Sequence, residues 1–388
     1  MATTSDDLFP ELEPRATLEH STGLLPEQFI REFIDAGHIT GDEPIEDGQI
    51  QPASLDLRLG AVAYRVRASF LPGADMTVGQ RIEQLGMHEI DLAQGAVLER
   101  DCVYIIPLME RLSLPVHYSA SASPKSSTGR LDVFTRLIVD HGTAFENVPE
   151  RYKGGLYVEV SPRTFSILVR QGVRLNQLRL RRGAPPPADA ALERLHRREP
   201  LVFAEEAPAE ARIAKGLWIS IDLKGRSDSR PIGFRAKKHA ALIDVAKVAH
   251  YDPLDFWEPI VGQGDGHLIL DPDAFYILTS KEKVSVPLDH AAQMVPYDPS
   301  VGEYRVHYAG FFDPGFGYGA EAATGTSAVL EVRSHEVPFL LEDGQVVGRL
   351  VYERLLAPAQ RAYGTAIGSA YQRQGLTLSK PFKPFSDR

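Results

Sequence analysis

Short stretches of alternating apolar and polar residues recur along this chain, at Leu55–Leu59, Val103–Pro107, Leu156–Val160, Phe165–Val169 and Ala328–Val332, bounded by Gly, Pro or Asp. A period of two over so few residues predicts half-buried β-strands. One early stretch keeps a helical period instead. It starts with Pro26 at a first-turn position, ends before Gly37, and puts Phe29, Ile30, Phe33 and Ile34 on one face, which predicts a helix packed as a lid on a β-core. Many short strands with turn signals between them predict a mainly β protein of the sandwich or jelly-roll-like barrel type.

Laid against itself, the chain matches at an offset of 172 residues. Tyr104-Ile105 meets Tyr276-Ile277, Glu110 meets Glu282, and Ser113-Leu114-Pro115 meets Ser285-Val286-Pro287. The register then carries Pro124 to Pro296, Glu159 to Glu331, Gly172 to Gly344 and Leu178 to Leu350. Upstream, Ser54-Leu55-Asp56-Leu57 resembles Ser220-Ile221-Asp222-Leu223 at an offset of 166. So long a period predicts a duplicated domain, unlike the ~20–50-residue period of a solenoid. Three prolines, Pro185 to Pro187, open a segment rich in Ala, Glu and Arg. They predict an N-terminal domain over 1–182, a linker over 183–211 holding a short solvated helix from Ala188 to Arg198, and a C-terminal domain over 212–388.

Composition narrows the function. With 388 residues, 43% hydrophobic and 24% charged, the chain is long enough for two packed domains. Its net charge of −10 argues against nucleic acid or an anionic membrane as partner, since both require a broad basic surface. Cys102 is the one cysteine, which predicts neither disulfides nor a thiolate metal cage and fits a reducing compartment. The acidic, Pro-interrupted start MATTSDDLFPELEPR has no secretory pattern, and no apolar run approaches the ~18 residues of a membrane span. A cytoplasmic location is expected.

The densest polar cluster is Ser123-Pro124-Lys125-Ser126-Ser127-Thr128-Gly129-Arg130. Two adjacent hydroxyls, backbone N–H groups, an ammonium and a guanidinium suit a polyphosphate, because all donate hydrogen bonds to anionic oxygens. A solvated Ser/Thr loop is the plain alternative, and GxxxxGK[ST] is absent. Histidines show no HExxH, and Asp140-His141 lacks a nucleophile elbow.

Several motifs in order carry a family resemblance. Ile50-Gln51-Pro52-Ala53-Ser54-Leu55-Asp56-Leu57-Arg58-Leu59-Gly60 resembles the signature near the start of dCTP deaminases, and Lys125-Ser126-Ser127 through Arg130 resembles their Arg-Ser-Ser and following Arg. Ala309-Gly310-Phe311-Phe312-Asp313-Pro314-Gly315-Phe316 is similar to the hairpin that cradles the pyrimidine in deaminases and dUTPases. Val329-Leu330-Glu331-Val332 resembles the strand carrying the deaminase glutamate, and Tyr363 with Ala370 through Ser379 resembles the nucleotide-covering tail. The resemblance implies two tandem dUTPase-like distorted β-barrel domains with a few short helices, and hydrolytic deamination of dCTP to dUTP. It also implies Mg2+ carried in on the triphosphate, no zinc, and a closed homo-oligomer with sites at domain interfaces. The zinc-dependent route needs H-x-E and P-C-x-x-C, and neither is present.

The two halves differ in what they retain. Where half one has Lys125-Ser126-Ser127, half two has Tyr297-Asp298-Pro299; where half two has Asp-Pro-Gly-Phe, half one has Asn147-Val148-Pro149-Glu150. One composite site is therefore expected, from Lys125, Ser126, Ser127 and Arg130 with Ala309, Gly310, Asp313, Phe316, Glu331, Tyr363 and Gln374. Within the resemblance, Glu331 shuttles protons, Ser126 positions water, Arg130 holds the glutamate, and Lys125 and Ser127 serve phosphates. Glu159, the repeat partner of Glu331, is the competing shuttle. Lys125 stands where the family has arginine and Ala370 where a phosphate-binding lysine is common, so Lys380 or Lys383 is the candidate replacement. A dUTPase, a bifunctional deaminase and diphosphatase, and a non-catalytic nucleotide-binding regulator are the rival readings.

Overall fold

The computed structural model describes residues 19–184, 188–204, 207–225, 231–262, 264–296, 304–306, 310–318, 324–334, 337–364 and 375–385, and these form two halves of mostly antiparallel sheet. In half one, one sheet runs Asn147–Val148, Tyr118–Pro124, Arg174–Arg182, Ser54–Arg58, Ile50–Gln51. Facing it, a second runs Val133–Val139, Lys153–Pro162, Val103–Ser113, Val62–Val66, Gly86–Asp91. Leucines and valines pointing inward from both sheets build the core, among them Leu55, Leu57, Val158, Val160 and Leu178.

Half two repeats the pairing in register. Leu178 lies opposite Ala122 and Leu350 opposite Met294; Glu159 lies opposite Ile105 and Glu331 opposite Ile277. Each of these positions differs from its counterpart by the sequence offset of 172.

The early helix spans Glu27–Asp35 and buries Phe29, Ile30 and Phe33. Pro26 is its extended N-cap, with φ −72° and ψ 168°, and so stands one step ahead of the first-turn position expected for it. A proline suits either place because it lacks an N–H that would need a partner there.

Part of the segment read as a linker is built into half two. The helix Asp189–Arg198 buries Leu192 and Leu195 against Leu201 and Val202, so it is only partly solvated. The strand Val202–Ala204 pairs with Phe275–Val284. Two leucines three residues apart anchor an otherwise charged helix on one side.

The halves meet along a continuous apolar and ionic seam. Phe234, Phe256, Trp257, Phe275 and Phe382 of half two join the half-one core. Ile167–Val169 is extended by a parallel strand, Ile243–Asp244, and Arg170 grips Asp244 at 2.9 and 3.1 Å. Arg181 holds Glu353 at 2.7 and 2.9 Å, while Arg333 reaches across to Asp132 and to Thr164 Oγ1 at 3.0 Å. Among the described residues no helix is long and apolar enough to cross a membrane.

Candidate active site

The polar cluster of half one forms a single helical turn, Ser126–Gly129, between two strands. Leu175 O fixes it from below, accepting from Lys125 N at 2.9 Å and from Thr128 Oγ1 at 2.7 Å. Lys125 and Ser126 face a cleft between the halves, and Lys125 pairs with the buried Asp56. Ser127 is buried on the far side of the turn, where its carbonyl accepts from Ser379 Oγ at 2.6 Å. Arg130, also buried, donates to Thr377 O at 3.0 Å and lines the cleft.

The opposite wall belongs to half two. Phe311–Phe312 pairs with the strand His290–Pro296, and the chain then turns through Asp313-Pro314-Gly315-Phe316. Gly315 has φ +89°, and a Cβ there would lie 2.8 Å from Ala362 Cβ and 2.9 Å from Tyr363 N. Only glycine admits that backbone and that approach. The approach lets Tyr363 N donate to Pro314 O at 2.8 Å and sets the Tyr363 ring 5.9 Å from Phe316. Gly310, Asp313, Phe316, Tyr363 and Glu331 thus line the same cleft as Lys125, Ser126 and Arg130, about 690 Å³ in volume with its mouth included. Ala309 and Gln374 lie outside the described residues.

Glu331, 6% exposed, sits in the strand Thr326–Ser334. Burial pushes its carboxyl up to about 7; the Arg130 charge and its own backbone N–H pull it down, and Asp132 pushes it up. A carboxyl near 7 can both take and return a proton in neutral solution.

Glu159 occupies the matching strand position but does not reach the cleft. It lies directly across from Arg136, which donates to Glu159 Oε1 at 2.7 and 3.1 Å and stacks 3.6 Å from the centre of the Phe145 ring. This cross-strand ion pair holds Glu159, the competing shuttle, away from the cleft that Glu331 lines. Among the described residues no three His, Cys, Asp or Glu side chains gather as a metal site.

Two residues that the sequence did not single out hold the hairpin. Arg179 of half one is buried and donates to Asp313 Oδ1 at 2.8 Å, Phe312 O at 3.0 Å and Ala292 O at 2.8 Å, with its guanidinium 4.0 Å from the centre of the Phe311 ring. Ser54 Oγ approaches Asp313 Oδ2 at 3.3 Å. Arg179 alternates with Leu178 and Leu180, a pattern that reads as a solvent-facing arginine until the second half covers it.

A cleft that brings a buried carboxyl titrating near neutrality to a cationic turn suits proton transfer on a small anionic ligand, the arrangement of an enzyme site. Sequence comparison narrows that class. Models of the N-terminal and C-terminal domains of 2'-deoxycytidine 5'-triphosphate deaminase match residues 21–184 and 188–382. A dUMP-forming dCTP deaminase of Streptomyces coelicolor is 31% identical over 163 residues, 40% of this chain and 81% of that protein. One from Parafrankia sp. is 32% identical over 148 residues, 36% of this chain and 70% of that protein. The crystal structure of 2'-deoxycytidine 5'-triphosphate deaminase from Agrobacterium tumefaciens superposes with a TM-score of 0.83 at 53% identity, covering 87% of this chain and all of that one. The chain belongs to the dCTP deaminase family.

Proposed function

We propose that the cleft between the halves hydrolyses the 4-amino group of dCTP, releasing ammonia, with Glu331 as the proton shuttle. The observation that carries this reading is a buried carboxyl held near neutrality opposite the Lys125–Arg130 turn. Ser126 Oγ positions a water against C4 of the cytosine. Glu331 takes a proton from that water and passes it to ring N3 as the C–O bond forms. The remaining hydroxyl proton travels through Glu331 to the amino group, which leaves as ammonia while C4 becomes a carbonyl. Arg130 keeps enough of Glu331 ionised to begin the cycle. Phe316 and Tyr363 flank the base, and Asp313 meets the sugar. Mg2+ travels with the triphosphate as its counter-ion, and copies of the chain assemble into a closed oligomer in the cytoplasm.

The product is dUTP in this mechanism. The relatives named dUMP-forming favour a second product, dUMP with pyrophosphate. Incubating purified protein with dCTP and Mg2+, assaying ammonia and resolving nucleotides by anion exchange tests both. Ammonia with dUTP supports deamination alone, and ammonia with dUMP supports the two-step product. Bound dCTP without ammonia would refute the enzyme reading in favour of a nucleotide-binding regulator.

A further inference from the structure

Two residues beyond Arg130 the chain makes a second ionic contact across the seam, one that no step of the reaction uses. Asp132 follows the Ser126–Gly129 turn, is 1% exposed, and holds a left-handed backbone with φ 53°. That conformation favours glycine and costs other residues, so a buried aspartate there points to a role for its side chain. Asp132 N donates to Gly129 O at 2.8 Å and Arg163 N donates to Asp132 O at 2.9 Å, which fixes the backbone on both sides. The carboxylate accepts from Thr164 Oγ1 at 2.6 Å and, from half two, from Arg333. Arg333 is itself fixed, donating to Asp273 O at 3.0 Å.

Arg333 lies two residues beyond Glu331 on the strand Thr326–Ser334, and side chains two apart on a strand share a face. Half one thus offers a cation and an anion, Arg130 and Asp132, to an anion and a cation of half two, Glu331 and Arg333. Among the described residues, the other titratable side chains lining the cleft with Glu331 are Lys125, Asp313 and Tyr363, and the strand opposite presents Ile277. Lys125 is held by Asp56 and Asp313 by Arg179. Arg130 and Asp132 are the charges that bear on Glu331, the first drawing its proton off and the second holding it.

The internal repeat ties this pair to the composite cleft. At the offset of 172, Glu331 corresponds to Glu159, Arg333 to Ser161 and Asp132 to Tyr304. The strand whose glutamate stays out of the cleft therefore has no arginine two residues on, and the segment after the Tyr297-Asp298-Pro299 turn has no aspartate.

We propose that Asp132 is a positioning residue for the deamination: anchored on Arg333 across the seam, its carboxylate sets the strand of Glu331 against the Arg130 turn and offsets the charge of Arg130 there. The proposal rests on the deaminase reading for its chemistry. Arg130 keeps Glu331 able to take a proton from water, and Asp132 keeps it able to hold that proton until ring N3 and the amino group receive it.

Two variants test it. Asp132→Asn keeps the shape, and asparagine tolerates the left-handed backbone. Asp132→Asn combined with Arg333→Gln also leaves no buried charge unpaired, which guards the test against a single variant that does not fold. The dependence of kcat/KM for dCTP on pH reports the essential base of the free enzyme. Its low-pH limb should move about one unit lower in both variants, with KM for dCTP at neutral pH unchanged, since Asp132 does not line the cleft. A pair that only latched the halves would change rate and stability alike at every pH, so a limb at the wild-type position, or one moved higher, would overturn the proposal. A second readout needs no turnover. Wild-type resistance to guanidinium should fall as pH climbs through the titration of Glu331, and in the double variant that fall should be about tenfold smaller in the unfolding equilibrium constant. An equal or larger fall would overturn the proposal as well. Absence of ammonia release from the wild type, with the difference in unfolding retained, would instead strike the deaminase reading.

Discussion

Glu331→Gln should slow deamination by orders of magnitude and, at the same time, stabilise the protein in alkaline solution. In the folded chain this carboxyl titrates at about 7, against an ordinary value of 4.5. Between those values the folded state binds one proton more than the unfolded state, so the stability of the protonated form is complete below 4.5 and is lost as pH climbs through 7. The full difference amounts to about 3 kcal/mol. Glutamine mimics the protonated acid and does not titrate, so the variant should gain about 3 kcal/mol over wild type at pH 8 and less than about 1 kcal/mol at pH 5. Guanidinium unfolding followed by tryptophan fluorescence at both pH values reads the difference. Removing the shuttle should lower kcat by about 10²- to 10⁴-fold, while the wild-type rate should fall about tenfold per pH unit below 7. A variant no more stable than wild type at pH 8, or a gain independent of pH, would refute the claim that desolvation of this carboxyl dominates its environment.

Arg179→Met leaves Asp313 buried without its cation. It should cost about 3–5 kcal/mol and raise KM for dCTP, and wild-type values in both denaturation and kinetics would show that the hairpin needs no latch. Glu159→Gln should retain ammonia release, because its carboxylate serves Arg136 outside the cleft; a loss as large as in Glu331→Gln would move the chemistry to half one. Phe382→Ala removes a ring packed against Phe256, Trp257 and Tyr251. It should cost about 3–5 kcal/mol and raise KM for dCTP by loosening the segment that carries Ser379 and Lys380, and an unchanged KM would show that this anchor does not bear on the cleft.

Much of this architecture was legible in the sequence because strand register and side-chain pattern are the same information. A duplicated β-domain cannot slip a residue without turning its apolar set outward. The offset between Leu178 and Leu350 therefore survives as the same cross-strand pairing in space. The composite cleft was legible for a similar reason, since each half kept one wall and lost the other. What stayed hidden depends on contacts between halves. Ser54, Asp56 and Arg58 alternate with leucines, which reads as a half-exposed strand, yet all five positions from Ser54 to Arg58 are buried because the second half, the turn and Glu110 cover the polar face. Leu192 and Leu195 were obscured by the charges around them. The aromatic group of Phe256 and Trp257 lies far along the chain from the half-one core it completes.

The two glutamates show how one strand position acquires different chemistry. Glu159 and Glu331 share a register, and both are buried. In half one the partner cation, Arg136, sits directly opposite on the neighbouring strand and offers two N–H groups to a single carboxylate oxygen. That pairing takes up one carboxylate oxygen and holds the side chain to the neighbouring strand, away from the cleft. In half two the cation that bears on Glu331 is Arg130, which comes from the other half and is itself bonded to Thr377 O. Its attraction falls short of the burial it opposes, so the proton stays exchangeable near neutral pH. The charge that bears on Glu331 thus comes across the seam between the halves, which is also tied by Arg333 to Asp132, Arg170 to Asp244 and Arg179 to Asp313. Fusion of the two halves gives those bonds one fixed partner each. Half one keeps the Lys125–Arg130 turn on the cleft while its glutamate becomes part of the frame.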